Sequence, residues 1–214
     1  SASWSALKLS DLSVVALLGQ GNYGRVALVR SSEGEAFALK VLDRGGITRQ
    51  SQQAHLLSER KIMTELDHPF VLRLFATFKN AKSLFMLLEV CMGGELFHHL
   101  DEVDIVDEEA ARFYVASITL VFEYLHERQI VYRDLKPENI FLAESRRSGT
   151  PYFVKVLYFG IARVVREAQV GSTESLCTPL WMAPEQAGNG EAVGPKTDIW
   201  ALGLIVFFLL TGKP

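Results

Sequence analysis

Cysteine is nearly absent from this sequence. The 214 residues hold two, Cys91 and Cys177, too few for the disulfide framework of a small secreted domain, and their scarcity fits a reducing compartment. A long apolar run is missing as well. The longest, Ile199 to Leu210, falls short of the roughly 18 residues of a membrane span and predicts a buried helix. The opening residues Ser1-Ala2-Ser3-Trp4-Ser5 carry neither the basic start nor the apolar stretch of a secretory signal. Charge of one sign is not in surplus: 22 Lys and Arg against 25 Asp and Glu leave a formal net charge of −3. That gives no basic field for nucleic acid. His98, His99 and His126 have no acidic or Cys partner at ligand spacing, so they read as surface histidines rather than a metal centre. These absences predict a soluble, cytoplasmic protein with no membrane span and no nucleic-acid partner.

What is present is ordinary globular material, 49% hydrophobic and 22% charged, punctuated by motifs. The apolar stretch Val14–Leu18 runs into Gly19-Gln20-Gly21-Asn22-Tyr23-Gly24 and then Arg25-Val26-Ala27-Leu28-Val29. Alone, G-x-G-x-x-G serves two folds. The β-branched and alternating residues after Gly24, and the turn at Ser31–Gly34, predict strand–loop–strand rather than strand–helix. Glycines there let backbone N–H groups approach anionic oxygens. Ala36-Phe37-Ala38-Leu39-Lys40 is a strand ending on a lysine. Leu56, Leu57, Ile62, Met63 and Leu66 have helical spacing over 51–66. Strands are predicted over 71–78 and 83–90, and two glycines follow in Glu89-Val90-Cys91-Met92-Gly93-Gly94-Glu95. Helices are predicted over 96–100 and 107–128, and strands over 140–143 and 152–157.

Between them lies Tyr132-Arg133-Asp134-Leu135-Lys136-Pro137-Glu138-Asn139. Pro137 forbids a continuous helix and holds Lys136 extended. A rigid loop with Asp and Asn five apart suits a base near a hydroxyl and an oxygen ligand for a cation. The spacing matches the catalytic-loop pattern H-R-D-x-x-x-x-N with Tyr for His. Ala183-Pro184-Glu185 and Lys196-Thr197-Asp198 follow in the expected order. The chain therefore resembles the eukaryotic protein kinases over about residues 11–214. Its Tyr-Arg-Asp form is similar to the cyclic-nucleotide-dependent kinases and their relatives, the AGC group.

The resemblance implies an α+β bilobal fold. Residues 1–10 are a lead-in, 11–88 a small antiparallel-sheet lobe with one main helix, 89–94 a hinge, and 95–214 a partial, mostly helical lobe. The cleft would lie between the lobes. It implies an ATP-dependent serine/threonine kinase with Asp134, Lys136 and Asn139 catalytic. ATP would be held by Gly19, Gly21, Gly24, Val26, Ala38, Lys40, Glu59, Glu89, Cys91, Glu95 and Phe141, with Leu88 as gatekeeper. Glu59, with Glu65 as the alternative, is assigned as the Lys40 partner. Asn139 would hold Mg²⁺. Glu95, Glu138 and Thr178 would bind protein substrates carrying an upstream Arg. Ser175, with Thr173 competing, would be phosphorylated by an upstream kinase and met by Arg133 and His55. Asp198 would accept backbone N–H groups near Tyr132 and Arg133.

Two departures qualify the resemblance. Leu157-Tyr158-Phe159-Gly160 stands where the family has Asp-Phe-Gly, so a phenol replaces a magnesium carboxylate. The sequence also stops before the family's last helices, which implies a fragment of a longer parent with regulatory domains, or an incomplete gene model. The alternative function is a pseudokinase, a nucleotide-binding or scaffold module that transfers phosphate slowly or never. A small-molecule phosphotransferase is disfavoured by Ala183-Pro184-Glu185.

Overall fold

A computed structural model describes residues 7–21, 24–46, 50–103, 105–144, 152–157, 159, 162–164, 179–187 and 193–213. They divide into two compact units. One comprises the residues up to Leu57 together with Leu72–Val90, the other Ser58–Val71 together with Cys91 onward.

The first unit is built on β1 (Leu12–Gly21), β2 (Gly24–Ser31), β3 (Ala36–Asp43), β4 (Leu74–Lys79) and β5 (Ser83–Leu88). They form one antiparallel sheet in the order β1-β2-β3-β5-β4. Period-2 alternation sends Ala27, Val29, Phe37, Leu39 and Leu87 to one face, where they make a core cluster. Val29 and Leu87 are fully buried, each worth about 1.5–3 kcal/mol of transfer free energy. Phe37 meets Phe75 edge-on at 5.2 Å. The same face keeps a groove of about 340 Å³ lined by Leu12, Val14, Val41 and Phe85 among others. The predicted strand over 71–78 begins later than expected, because Val71 leaves the sheet and makes a single parallel bridge to Val156. Gly24 faces the partner strand so closely that a Cβ would drive into the Val41 carbonyl.

The helix α1 (Gln50–Glu65) carries the predicted apolar spacing, with Ile62 and Met63 buried but Leu57 exposed. In the second unit follow α2 (Leu96–Val103), α3 (Glu108–Glu127), β6 (Ile130–Val131), β7 (Ile140–Glu144), β8 (Tyr152–Val156), β9 (Arg163–Val164), α4 (Pro184–Ala187) and α5 (Pro195–Thr211). Asp107, predicted inside α3, is its N-cap and accepts from the Ala110 N–H at 2.7 Å. Ala111, Tyr114, Ile118, Val121, Phe122 and Leu125 form its buried stripe. Two short ladders, β6 with β9 and β7 with β8, flank the segment between them. Pro195 opens α5 at its first turn and Gly212 ends it at φ 66°. One face of α5 is buried through Ala201, Leu202, Ile205 and Leu209, as the apolar run predicts. Ile199, Trp200, Phe207 and Leu210 on the other side are exposed, contrary to a helix buried all round. A helix apolar on every side needs two packed faces, and the described residues cover one.

Candidate active site

The loop 132–139 is fixed at both ends before its side chains are considered. At the start, the buried Asp198 carboxylate on α5 accepts from the Tyr132 N–H at 2.9 Å and the Arg133 N–H at 2.8 Å. Its Oδ2 also meets His126 Nε2 at 2.7 Å. A buried carboxylate is costly unless it is hydrogen-bonded, and these partners satisfy it. Arg133 has φ 69°, a left-handed conformation that a non-glycine residue adopts where the surroundings impose it. At the far end, Pro137 starts a 3-10 turn over Pro137–Asn139, and the Asn139 carbonyl accepts from the Leu157 N–H at 2.9 Å.

Within that frame the predicted catalytic residues converge. Asn139, 4% exposed, donates through Nδ2 to the Asp134 carbonyl at 2.8 Å and to Asp134 Oδ2 at 2.9 Å. Lys136 Nζ stands 3.8 Å from the other oxygen, Oδ1. One carboxylate oxygen is thus held by an amide, while the other faces a cation at looser range. With its nitrogen turned to Asp134, Asn139 has its amide oxygen as the acceptor atom of the side chain.

Tyr132 is fully buried. Its hydroxyl donates to the Leu157 carbonyl, and its ring meets Phe159 edge-on at 5.3 Å. Burial first, then the Asp134 and Asp198 carboxylates, push its phenol well above its ordinary pKa. It stays neutral and serves as a donor, joining the loop to the residues that flank position 158.

Glu138 and Glu95 lie near this framework. Among the described residues, Glu138 Oε2 is buried with no hydrogen-bond partner. Glu95 bridges through its backbone to Phe141 on β7, and Gly93 and Gly94 pair with Leu142. In the first unit, the register sets Val26 opposite Lys40, and Ala38 lies two residues before Lys40. Val26, Ala38 and Lys40 therefore share one face of the sheet. Met86 and Leu88 on β5 are opposite Lys40 and Ala38 on that face. Glu89 hydrogen-bonds Arg73 through its backbone N–H and its carboxylate. Glu59 is 6% exposed, whereas Glu65 is exposed. Tyr158, Thr173, Ser175 and Thr178 lie outside the described residues.

Sequence reasoning missed His126. It is no surface histidine: its side chain is 18% exposed, stacks on Phe122 and bonds Asp198. The helical period held the signal, since position 126 is one turn beyond Phe122 on the buried stripe. Thr197 was also missed. Its hydroxyl donates to Glu185 Oε1 at 2.8 Å, giving that carboxylate a partner on α5. Among the described residues no group of three His, Cys, Asp or Glu side chains is placed to hold a metal.

A model of the protein kinase domain matches residues 12–214. The chain belongs to the protein kinase family. This kinase domain is 42% identical over 212 residues to cGMP-dependent protein kinase, isozyme 2 forms cD5/T2, of Drosophila melanogaster, an alignment covering 97% of this chain and 22% of the relative. To cGMP-dependent protein kinase 2 of Homo sapiens it is 41% identical, with 98% and 27% covered. To cGMP-dependent protein kinase of Toxoplasma gondii it is 40% identical, with 96% and 20% covered. The kinase domain thus spans about a fifth to a quarter of the length of these curated relatives.

Proposed function

We propose that this kinase domain transfers the γ-phosphoryl group of ATP to Ser or Thr hydroxyls of protein substrates that carry an upstream Arg. The observation that carries the reading is the Asp134 carboxylate, fixed by Asn139 and faced by Lys136. Asp134 orients the acceptor hydroxyl and takes its proton as the oxygen bonds to the γ-phosphorus. The bond to the β-phosphate oxygen breaks, and ADP leaves. Lys136 steadies the charge on the transferring group, and such catalysis is mostly positioning and neutralisation.

The face carrying Val26, Ala38 and Lys40 fits ATP, with apolar side chains for the base and an ammonium for the α- and β-phosphates. Glu59 is the carboxylate assigned to Lys40, Leu88 the gatekeeper, and the Glu89 carbonyl and Cys91 amide the adenine contacts. The family uses Mg²⁺, which neutralises phosphate charge when bound. The Asn139 amide oxygen is suited to hold it, because magnesium takes hard oxygen ligands. Lobes at 11–88 and 95–214 with a hinge at 89–94 complete the proposal, together with a cytoplasmic setting. No helix among the described residues is long and apolar enough to cross a membrane.

The basic-motif preference rests on Glu138. A buried carboxylate oxygen without a partner among the described residues calls for a cationic donor, and Glu95 is the second acidic group assigned to it. A peptide array should favour Arg two or three residues before the acceptor. Glu138→Gln should weaken that preference about tenfold, the worth of one charge-assisted hydrogen bond. A preference for acidic or proline-directed peptides would refute the assignment.

Ser175 is the proposed activating phosphosite, with Arg133 and His55 meeting a phosphate that adds about −1.5 to −2 charge. Treatment with an upstream kinase should slow proteolysis of the 161–180 segment, and Ser175→Ala should abolish that protection. Equal protection in the variant would assign the effect elsewhere, Thr173 first. One observation favours a second reading: Tyr158 supplies a phenol where the family has a carboxylate, which suits a pseudokinase that binds nucleotide and transfers phosphate slowly.

A further inference from the structure

Gln186 follows directly on Ala183-Pro184-Glu185, in the short helix α4, and is half-buried. Its amide spans two backbone segments. Oε1 accepts from the Ala183 N–H at 3.0 Å, and Nε2 donates to the Arg133 carbonyl at 3.1 Å. Both partners are backbone groups of fixed sense, so the amide can stand only one way round.

Arg133 is the residue of the loop most in need of outside support, because its φ is 69°. Its N–H is given to Asp198 Oδ1 and its carbonyl to Gln186. These two bonds fix the peptide planes on either side of Arg133, and the second plane carries the Cα of Asp134. The contacts close a triangle. Thr197 ties α5 to Glu185, and the next residue, Asp198, ties α5 to the loop. Gln186 is the side that joins the 183–187 segment directly to the loop.

We infer that Gln186 is a positioning residue for Asp134, transmitting the placement of the Ala183–Glu185 segment to the peptide that aims the Asp134 carboxylate. The turnover arm of the test rests on the kinase activity proposed above, whereas the exchange arm does not. In the full chain, Gln186→Leu keeps the volume and removes both bonds. Gln186→Glu keeps the acceptor for Ala183 but sets an oxygen against the Arg133 carbonyl. Both variants should exchange the backbone amides of Arg133, Asp134 and Leu135 about tenfold faster, the scale of one net hydrogen bond. Both should lower kcat about tenfold, with KM for ATP and peptide held within about twofold. Wild-type exchange in Gln186→Glu would overturn the inference, since the Ala183 contact alone would then suffice. A lowered melting temperature with unchanged kcat would also overturn it, leaving Gln186 a support of the fold; so would failure of both variants to fold. If the unmodified chain transfers no phosphate, the proposed function fails, and the exchange comparison still decides the role of Gln186.

Discussion

In the proposed site, Tyr158 puts a phenol where the family pattern has a carboxylate, and a phenol is neutral near pH 7, its usual pKa being about 10. On the proposed reading, Asn139 and the phosphates would then share the work of holding magnesium. Removing one preorganised electrostatic group typically costs about 10²–10³ in rate. Tyr158→Asp should accordingly raise phosphoryl transfer at least about 100-fold. It should also make nucleotide stabilisation of the fold, about 2.7 kcal/mol at 100 times Kd, depend more on magnesium. A parent chain already turning over at about 1–100 per second would mean that another group supplies the ligand. The convergence of Asp134, Lys136 and Asn139 was legible because they stand within six residues and share one loop. Gln186 and His126 were not, because their partners lie 53 and 72 residues away. Local spacing carries no information about such pairs.

Where α1 gives way to β4, one histidine makes an element junction sensitive to pH. His68 Nδ1 accepts from the Phe70 N–H at 3.2 Å, and its ring packs on Tyr124 at 4.9 Å. Tyr124 is in turn covered by Arg128 and accepts from the Asp67 N–H. Burial first, then the positive charges of Lys155 and Arg128, hold the His68 pKa below its ordinary 6.5. As pH falls, the unfolded chain takes up this proton before the folded one does, so the contribution is present above 6.5 and is lost below it. Urea unfolding at about pH 7.5 and about pH 5.5 should show the loss, and His68→Asn should reduce it. An unchanged pH dependence in the variant would point to a different group. At this scale the sequence was informative wherever a local signal ended an element: Asp107 before α3, Pro137 in the loop, Gly212 after α5. It was less so at Val71, whose apolar neighbours suit a strand but whose partner is Val156.

Across the molecule, five antiparallel strands and a helical second unit were readable because the motifs occur in order, each in its own kind of element. The side chains left open to solvent were harder to foresee. Apolar composition says that α5 must be covered, and the exposure of Ile199, Trp200, Phe207 and Leu210 is a matter of what surrounds it. The first strand offers a plainer case. β1 is an edge strand of ten residues, Leu12 to Gly21, without a charge or a proline, and Val14 is 72% exposed and Leu17 58%. Its register shifts at bulges near Val14 and Leu17. Natural sheets guard such edges with lysines, prolines or bulges, and two of those three devices are missing here. Concentration should therefore drive neighbouring molecules to extend one another's sheets, producing turbidity long before heat unfolds them. Val14→Lys should raise the concentration at which light scattering appears and leave the melting temperature unchanged. Scattering that begins at the same concentration in the variant would place the sticking surface elsewhere.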